Sequence, residues 1–254
     1  MHSPGKIAFS IFGLDVAWYG ILIGFGFLLA TLISYKRAPK HGINPDFILD
    51  LILWMIPAAI IGARAYYVIF QWDYYAGDWA KIFDVRGGGL AIHGGLILCF
   101  LVGYFVCRHH KESFLATADL AAVVIPLAQA IGRWGNFFNE EAHGMQTDLP
   151  WAQIIDGVGY HPTFLYESIW CFALFWFLLW FDNRHRSFNG QIICLYMILY
   201  SVERFFVEGL RTDSLMFGPL RQAQLISLGL ILIGIVLYVV LKKRAASKGD
   251  TGLS

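Results

Sequence analysis

The sequence predicts an all-α, polytopic integral membrane protein with about seven transmembrane helices and small outer-face loops. Three observations predict it. Hydrophobic residues make up 57% of the 254-residue chain and charged residues only 15%, against about 45–50% and about 25% in soluble domains. Apolar runs of about 20 residues, the length that crosses a hydrocarbon core of about 30 Å, recur from end to end. Aromatic residues reach 17%, and Trp and Tyr gather where membrane meets water because one end of the ring is apolar and the other wet.

Taken in order, the first span covers residues 16–35. Only Lys6 precedes Asp15 and no small-residue cleavage site follows a short apolar core, so this span reads as retained and not as a removed signal peptide. The second covers 47–70 and holds Asp50 and Arg64. The third covers 87–107 without a charge. The fourth, 114–132, contains Asp119; the fifth, 163–181, contains Glu167; the sixth, 191–209, contains Glu203, Arg204 and Glu208; the seventh, 222–241, is again free of charge.

Basic residues orient these spans. With the N-terminus outside, the inner segments carry Lys36, Arg37, Lys40, Arg108, Lys111, Arg184, Arg186, Lys242, Lys243, Arg244 and Lys248. The outer ones carry only Lys6, Lys81, Arg86, Arg133, Arg211 and Arg221. Cytoplasmic loops are the ones enriched in Lys and Arg, so the C-terminus is expected inside. The two longest connections, 71–86 and 133–162, both fall outside. Loops larger than geometry requires tend to carry function. No internal repeat or detached soluble domain interrupts the chain, which reads as a single transmembrane domain over 1–254.

A net charge of +1 gives no reason to expect a nucleic acid partner. Cys99, Cys107, Cys171 and Cys194 lie in apolar runs without a CxxC pair. They read as small packing residues and not as a disulfide framework or zinc site. No metal or cofactor is expected.

Three clusters remain for chemistry. The densest runs Gly132-Arg133-Trp134-Gly135-Asn136-Phe137-Phe138-Asn139-Glu140-Glu141-Ala142-His143-Gly144. Its glycines allow tight turns and close approach. Arg133 offers a planar fork of donors suited to phosphate. Asn136 and Asn139 add neutral donors, and Glu141 is placed to orient an arginine. A plain helix cap would not need so many hydrogen-bonding groups between Trp and Phe. The second cluster is Tyr200, Arg204, Glu208 and Arg211, whose spacing sets them on one helix face. Charges at mid-membrane are costly unless paired or facing a wet cavity, so an intramembrane Arg–Glu pair marks a site. The third is His93, followed by Gly94 and Gly95. It is either a base or acid near neutral pH or a packing residue. Trp18-Tyr19-Gly20 reads as an interfacial belt, Gly24-Phe25-Gly26 as a helix-packing pattern, and Glu167 as a first-turn acid.

Together these motifs resemble the bacterial prolipoprotein diacylglyceryl transferase family. The run 132–144 looks like the family signature. Trp18-Tyr19-Gly20, His93-Gly94-Gly95, Thr147-Asp148-Leu149-Pro150-Trp151, His161-Pro162-Thr163 with Leu165-Tyr166-Glu167, and Arg204-Phe205-Phe206-Val207-Glu208 with Arg211 match in the family's order over about 190 residues. Phe164 stands where the family often has Gln, so no polar role is expected there. The resemblance implies a multi-pass enzyme of the bacterial cytoplasmic membrane. It would move the diacylglyceryl group of phosphatidylglycerol to the lipobox cysteine of a preprolipoprotein signal peptide, forming a thioether and releasing glycerol phosphate. Carried over by motif, Tyr19, His93, Arg133, Asn136, Asn139, Glu141, Gly144, Arg204 and Glu208 are the expected functional positions. Arg133 and Arg204 would bracket the phosphate, with Glu208 and Glu141 holding the arginines. His93 would assist thiol deprotonation or bind head group. A transporter or channel, and a non-catalytic phospholipid-binding factor, are the alternatives.

Overall fold

A computed structural model describes residues 1–84, 88–212, 216–218 and 220–247. Arg86, Gly87 and Lys248, which entered the span and charge reading, lie outside these. The chain divides into two compact units, one formed by Met1–Ser34 with Ala118–Ser254 and the other by Tyr35–Thr117.

The helices are α1 (Trp18–Arg37), α2 (Pro45–Phe70), two short ones α3 (Trp72–Tyr75) and α4 (Trp79–Phe83), then α5 (Ile92–His110), α6 (Phe114–Asn139), α7 (Thr163–Arg184), α8 (Gln191–Leu210) and α9 (Gln222–Ser247). Among the described residues three two-stranded antiparallel ribbons accompany them: β1 (Ile7–Ile11) with β2 (Leu14–Ala17), β3 (Gln153–Ile155) with β4 (Val158–Tyr160), and β5 (Met216–Phe217) with β6 (Leu220–Arg221). Each of the seven runs read from the sequence therefore holds a helix, the third beginning only at Ile92 and the first at Trp18. Among the described residues six helices are long and apolar enough to cross a membrane. The seventh, α8, has 20 residues but carries Glu203, Arg204 and Glu208.

The smaller unit is built on α2 against α5. Asn44 caps α2, its side chain accepting from the Asp46 amide at 3.0 Å, and Pro45 takes the first position, where a missing N–H costs nothing. The two helices meet at glycines. A Cβ on Gly62 would run into the Gly94 carbonyl, and one on Gly94 into that of Gly62. Small residues let backbones approach where no hydrophobic force drives helices together in lipid. Arg64, two residues beyond Gly62 on α2, is buried and turned to the segment that leads into α5. Its guanidinium donates to the carbonyls of Ile82 (2.8 Å), Gly88 (2.8 Å), Gly89 (3.0 Å) and Lys81, and lies over the Tyr75 ring.

In the larger unit the core is formed by α6, α7 and α8 through Ala122, Val123, Val124, Leu174, Leu178 and Ile192. Helix α8 has no capping side chain of its own. Asp119 on α6, fully buried, replaces it, accepting from the amides of Gly190 (2.7 Å) and Ile193 (2.9 Å). The charge that interrupted the fourth apolar run is therefore the cap of a neighbouring helix. Helix α1 packs through Gly26, where an added Cβ would touch the Ala128 backbone. The outward faces of α1 and α9 are apolar, with Phe25, Leu28, Leu232 and Val236 exposed, as lipid-facing surfaces require.

Candidate active site

The signature run occupies the last turns of α6 and the loop beyond. Up to Asn139 its side chains are directed by the helix. Trp134 points to α7, donating to the Ser168 hydroxyl at 3.2 Å, which in turn donates to the Ala130 carbonyl at 2.8 Å. Its ring meets Phe164, 5.3 Å between centroids, and Phe164 also packs on Phe137. The position where a Gln is common is thus apolar packing. Gly135 faces Tyr19 of α1 so closely that a Cβ would enter the Tyr19 ring, and Trp18 stacks on Phe138 at 5.0 Å. The helix ends at Asn139. Glu140 and Ala142 then take left-handed backbone, φ 55° and 57°, a conformation uncommon for residues with a Cβ and concentrated at functional loops.

The centre of the site is a chain of ion pairs across α6, α7 and α8. Arg133 meets Glu167 at 3.0 Å (Nη1 to Oε2) and donates to the Tyr200 hydroxyl at 3.3 Å. The other oxygen of Glu167 accepts from Arg204. Arg204 in turn pairs with Glu208 at 2.7 Å, one turn along α8. The Glu167 side chain is 2% exposed, whereas Arg133 and Arg204 keep 20% and 19%. One enclosed carboxylate therefore holds two part-open guanidinium groups side by side. Such a pair has donors to spare for a phosphate, which a guanidinium fork fits bidentately. Beyond Glu208 the Arg221 side chain donates to its carbonyl, closing the end of α8.

Arg204 and Glu208 thus pair as the helical spacing predicts, and Arg133 and Tyr200 join them across α6 and α8. Asn139 donates to Glu141 at 3.2 Å, while the backbone carbonyl of Asn136 accepts from the Glu141 amide at 3.1 Å. Gly144 lies between two segments. Its amide donates to the His161 carbonyl at 2.9 Å, and that of Met145 to the Leu210 carbonyl at 2.8 Å, with a methyl at 144 colliding with His161. His93 belongs to the other unit, exposed in the first turn of α5, its ring 6.3 Å from that of Tyr66.

Three expectations change. The carboxylate on Arg133 is Glu167, not Glu141, whose side chain takes the Asn139 amide. Arg211 is not on the helical face, because α8 stops at Leu210 and Arg211 is extended backbone bridged to Gly144. Glu167, read as a first-turn acid, is the hub of the ion-pair chain. Its signal was available: it is the only charge in the run 163–181, where an unpaired acid is costly.

The fold and site define a class: multi-pass helical membrane proteins in which one enclosed carboxylate braces two part-open arginines across three adjoining helices. Which member of that class it is follows from comparison. The chain belongs to the prolipoprotein diacylglyceryl transferase family, whose model matches residues 6–240. It is 52% identical over 239 residues to the phosphatidylglycerol–prolipoprotein diacylglyceryl transferase of Finegoldia magna, covering 94% of this chain and 96% of the relative. The enzymes of the same name from Clostridioides difficile and Gloeobacter violaceus are 53% identical over 239 residues and 46% over 256, covering 94% and 96% of this chain, and 96% and 95% of the relatives.

Proposed function

We propose that this chain transfers the diacylglyceryl group of phosphatidylglycerol to the lipobox cysteine thiol of a preprolipoprotein. The observation that carries the reading is the pair Arg133 and Arg204 joined through Glu167. The thiol sulfur attacks the glyceryl carbon, the S–C bond forms, the C–O bond breaks, and the electron pair stays on the phosphate oxygen. The phosphate thereby gains negative charge, and the arginines bind this charge better than the ground state, which lowers the barrier. A free thiol with a pKa of about 8.5 is only a few per cent thiolate near neutrality, so its proton must pass to a base or to water. His93 is our assignment for that base, resting on the resemblance and not on its placement. Replacing it with Gln tests this: an unchanged pH–rate profile at near-normal rate removes the role. Tyr19, Asn136, Asn139, Glu141, Gly144 and Glu208 are proposed to shape the head-group site. Residues 1–254 act as one catalytic domain in this reading, in the bacterial cytoplasmic membrane. The N-terminus is outside, the C-terminus cytoplasmic, and α8 is the seventh crossing.

The deciding experiment incubates the purified chain with phosphatidylglycerol vesicles and a lipobox peptide. Release of glycerol phosphate together with lipidation of the peptide is the expected result. Phosphatidylglycerol binding without release would instead make the chain a lipid-binding factor.

A further inference from the structure

Glu203 takes no part in the ion-pair chain, yet it lies against it. It precedes Arg204 on α8, is 6% exposed, and neither carboxylate oxygen has a hydrogen-bond partner among the described residues. It lies within Coulombic reach of Glu167, Arg133 and Arg204, and also of Cys171 on α7. The charges already balance without it: two guanidinium groups, Arg133 and Arg204, face two carboxylates, Glu167 and Glu208. A fifth ionisable group, enclosed and unbonded, is costly to carry, and a buried polar group without a partner calls for an explanation.

We infer that Glu203 is a positioning residue that acts through the arginine pair, weakening its hold on phosphate so that the product leaves. The inference rests on the transfer reading above. A phosphodiester substrate carries one negative charge. The monoester product carries up to two, because breaking the C–O bond leaves the electron pair on the phosphate. Two arginines tuned only for tight binding would retain the product more strongly than the substrate. A carboxylate that accepts no hydrogen bond from either arginine acts on the ligand by charge alone. Its repulsion scales with ligand charge, so it opposes the product about twice as much in energy as the substrate. Uniformly tighter binding would lower KM without raising kcat, which is the state the carboxylate avoids.

The test is a binding measurement on the intact protein in detergent, wild type against Glu203→Gln, which keeps size and shape. The probes are glycerol phosphate at pH 8, a dianion, and glycerophosphoglycerol, a monoanionic diester. Glu203→Gln is expected to tighten glycerol phosphate about tenfold and the diester about threefold. In turnover it is expected to lower KM and kcat together. Equal shifts for the two probes, or no tightening of glycerol phosphate, overturn the inference. A loss of affinity for both would show that Glu203 merely supports the fold, and this also overturns it. Because the readout is binding, the two failures are distinguishable: a wild type that binds both probes but releases no glycerol phosphate from lipid and peptide sinks the transfer reading, whereas equal or absent shifts in Glu203→Gln sink the inference.

Discussion

If Glu167 holds both arginines in register, removing its charge should harm the chemical step more than the affinity. In Glu167→Gln the side chain keeps its reach but loses the anion shared by Arg133 at 3.0 Å and by Arg204. Arg133 is left with the Tyr200 hydroxyl and Arg204 with Glu208. Breaking a fully buried pair costs about 3–5 kcal/mol. Both arginine side chains keep about a fifth of their exposure, so solvent screens part of this, and a loss near 2 kcal/mol is expected. The loosened guanidinium groups carry more net positive charge, so phosphate affinity should hold or improve. Their orientation suffers, and a misplacement of about 1 Å costs roughly a hundredfold in rate. The assay is glycerol phosphate release against lipid concentration, at matched folded protein. The expected result is kcat down about a hundredfold with KM unchanged or lower. Glu167→Asp separates charge from reach, since it keeps the anion but is one methylene too short to span both arginines, and it should also be impaired. Full activity in Glu167→Asp, or a rise in KM with kcat preserved in Glu167→Gln, would refute the bridging argument.

Other perturbations follow from the same geometry. Arg133→Lys keeps the charge but loses the fork that serves Glu167 and a phosphate at once, so kcat/KM should fall by tenfold or more; full activity at matched protein level would rule out a bidentate requirement. Gly135→Ala forces Tyr19 off the helix, an overpacking cost of about 1–3 kcal/mol, seen as a lower Tm and reduced activity, with a Tyr19→Ala background relieving the Tm loss. Arg64→Ala frees four carbonyls of the segment before α5, and limited proteolysis should then cut between residues 81 and 89 faster than in wild type. Asp119→Ala removes the cap on α8 and should cost about 2 kcal/mol of stability, read as a lower Tm in detergent with phosphate affinity little changed.

Which parts of this were legible in the sequence depends on whether the signal was local. Seven apolar runs became seven helices because a helix in lipid must satisfy its own backbone, and length with apolarity is then nearly sufficient. The Arg204–Glu208 pair was legible because both lie on one helix, a turn apart. The partner of Arg133 was not, because Glu167 approaches from a different helix across 34 residues of sequence, and nothing in local spacing selects it over Glu141. Asp119 was legible only as an anomaly. Its explanation lies 71 residues away, at the unguarded start of α8. Arg211 was misread by one residue of helix length, the ordinary uncertainty of a helix end.

The same charges explain why α8 stands apart from the other spans. Among the described residues six helices are long and apolar enough to cross a membrane. Helix α8 is not, yet it is flanked by α7 and α9 in the sequence and packs its apolar residue Ile192 into the core with α6 and α7. Arg204 is matched by Glu167 from α7 and by Glu208 on α8 itself, and the Arg221 side chain just before α9 donates to the Glu208 backbone carbonyl. A helix that is too polar for lipid by itself becomes tolerable once its polar face is enclosed by protein. Donors on an enclosed face of this kind act in a low-dielectric setting, where charge is felt more strongly than in water. In the proposed reading, Arg204 and Glu208, two of the residues that disqualify α8 as a plain membrane span, serve the head-group site.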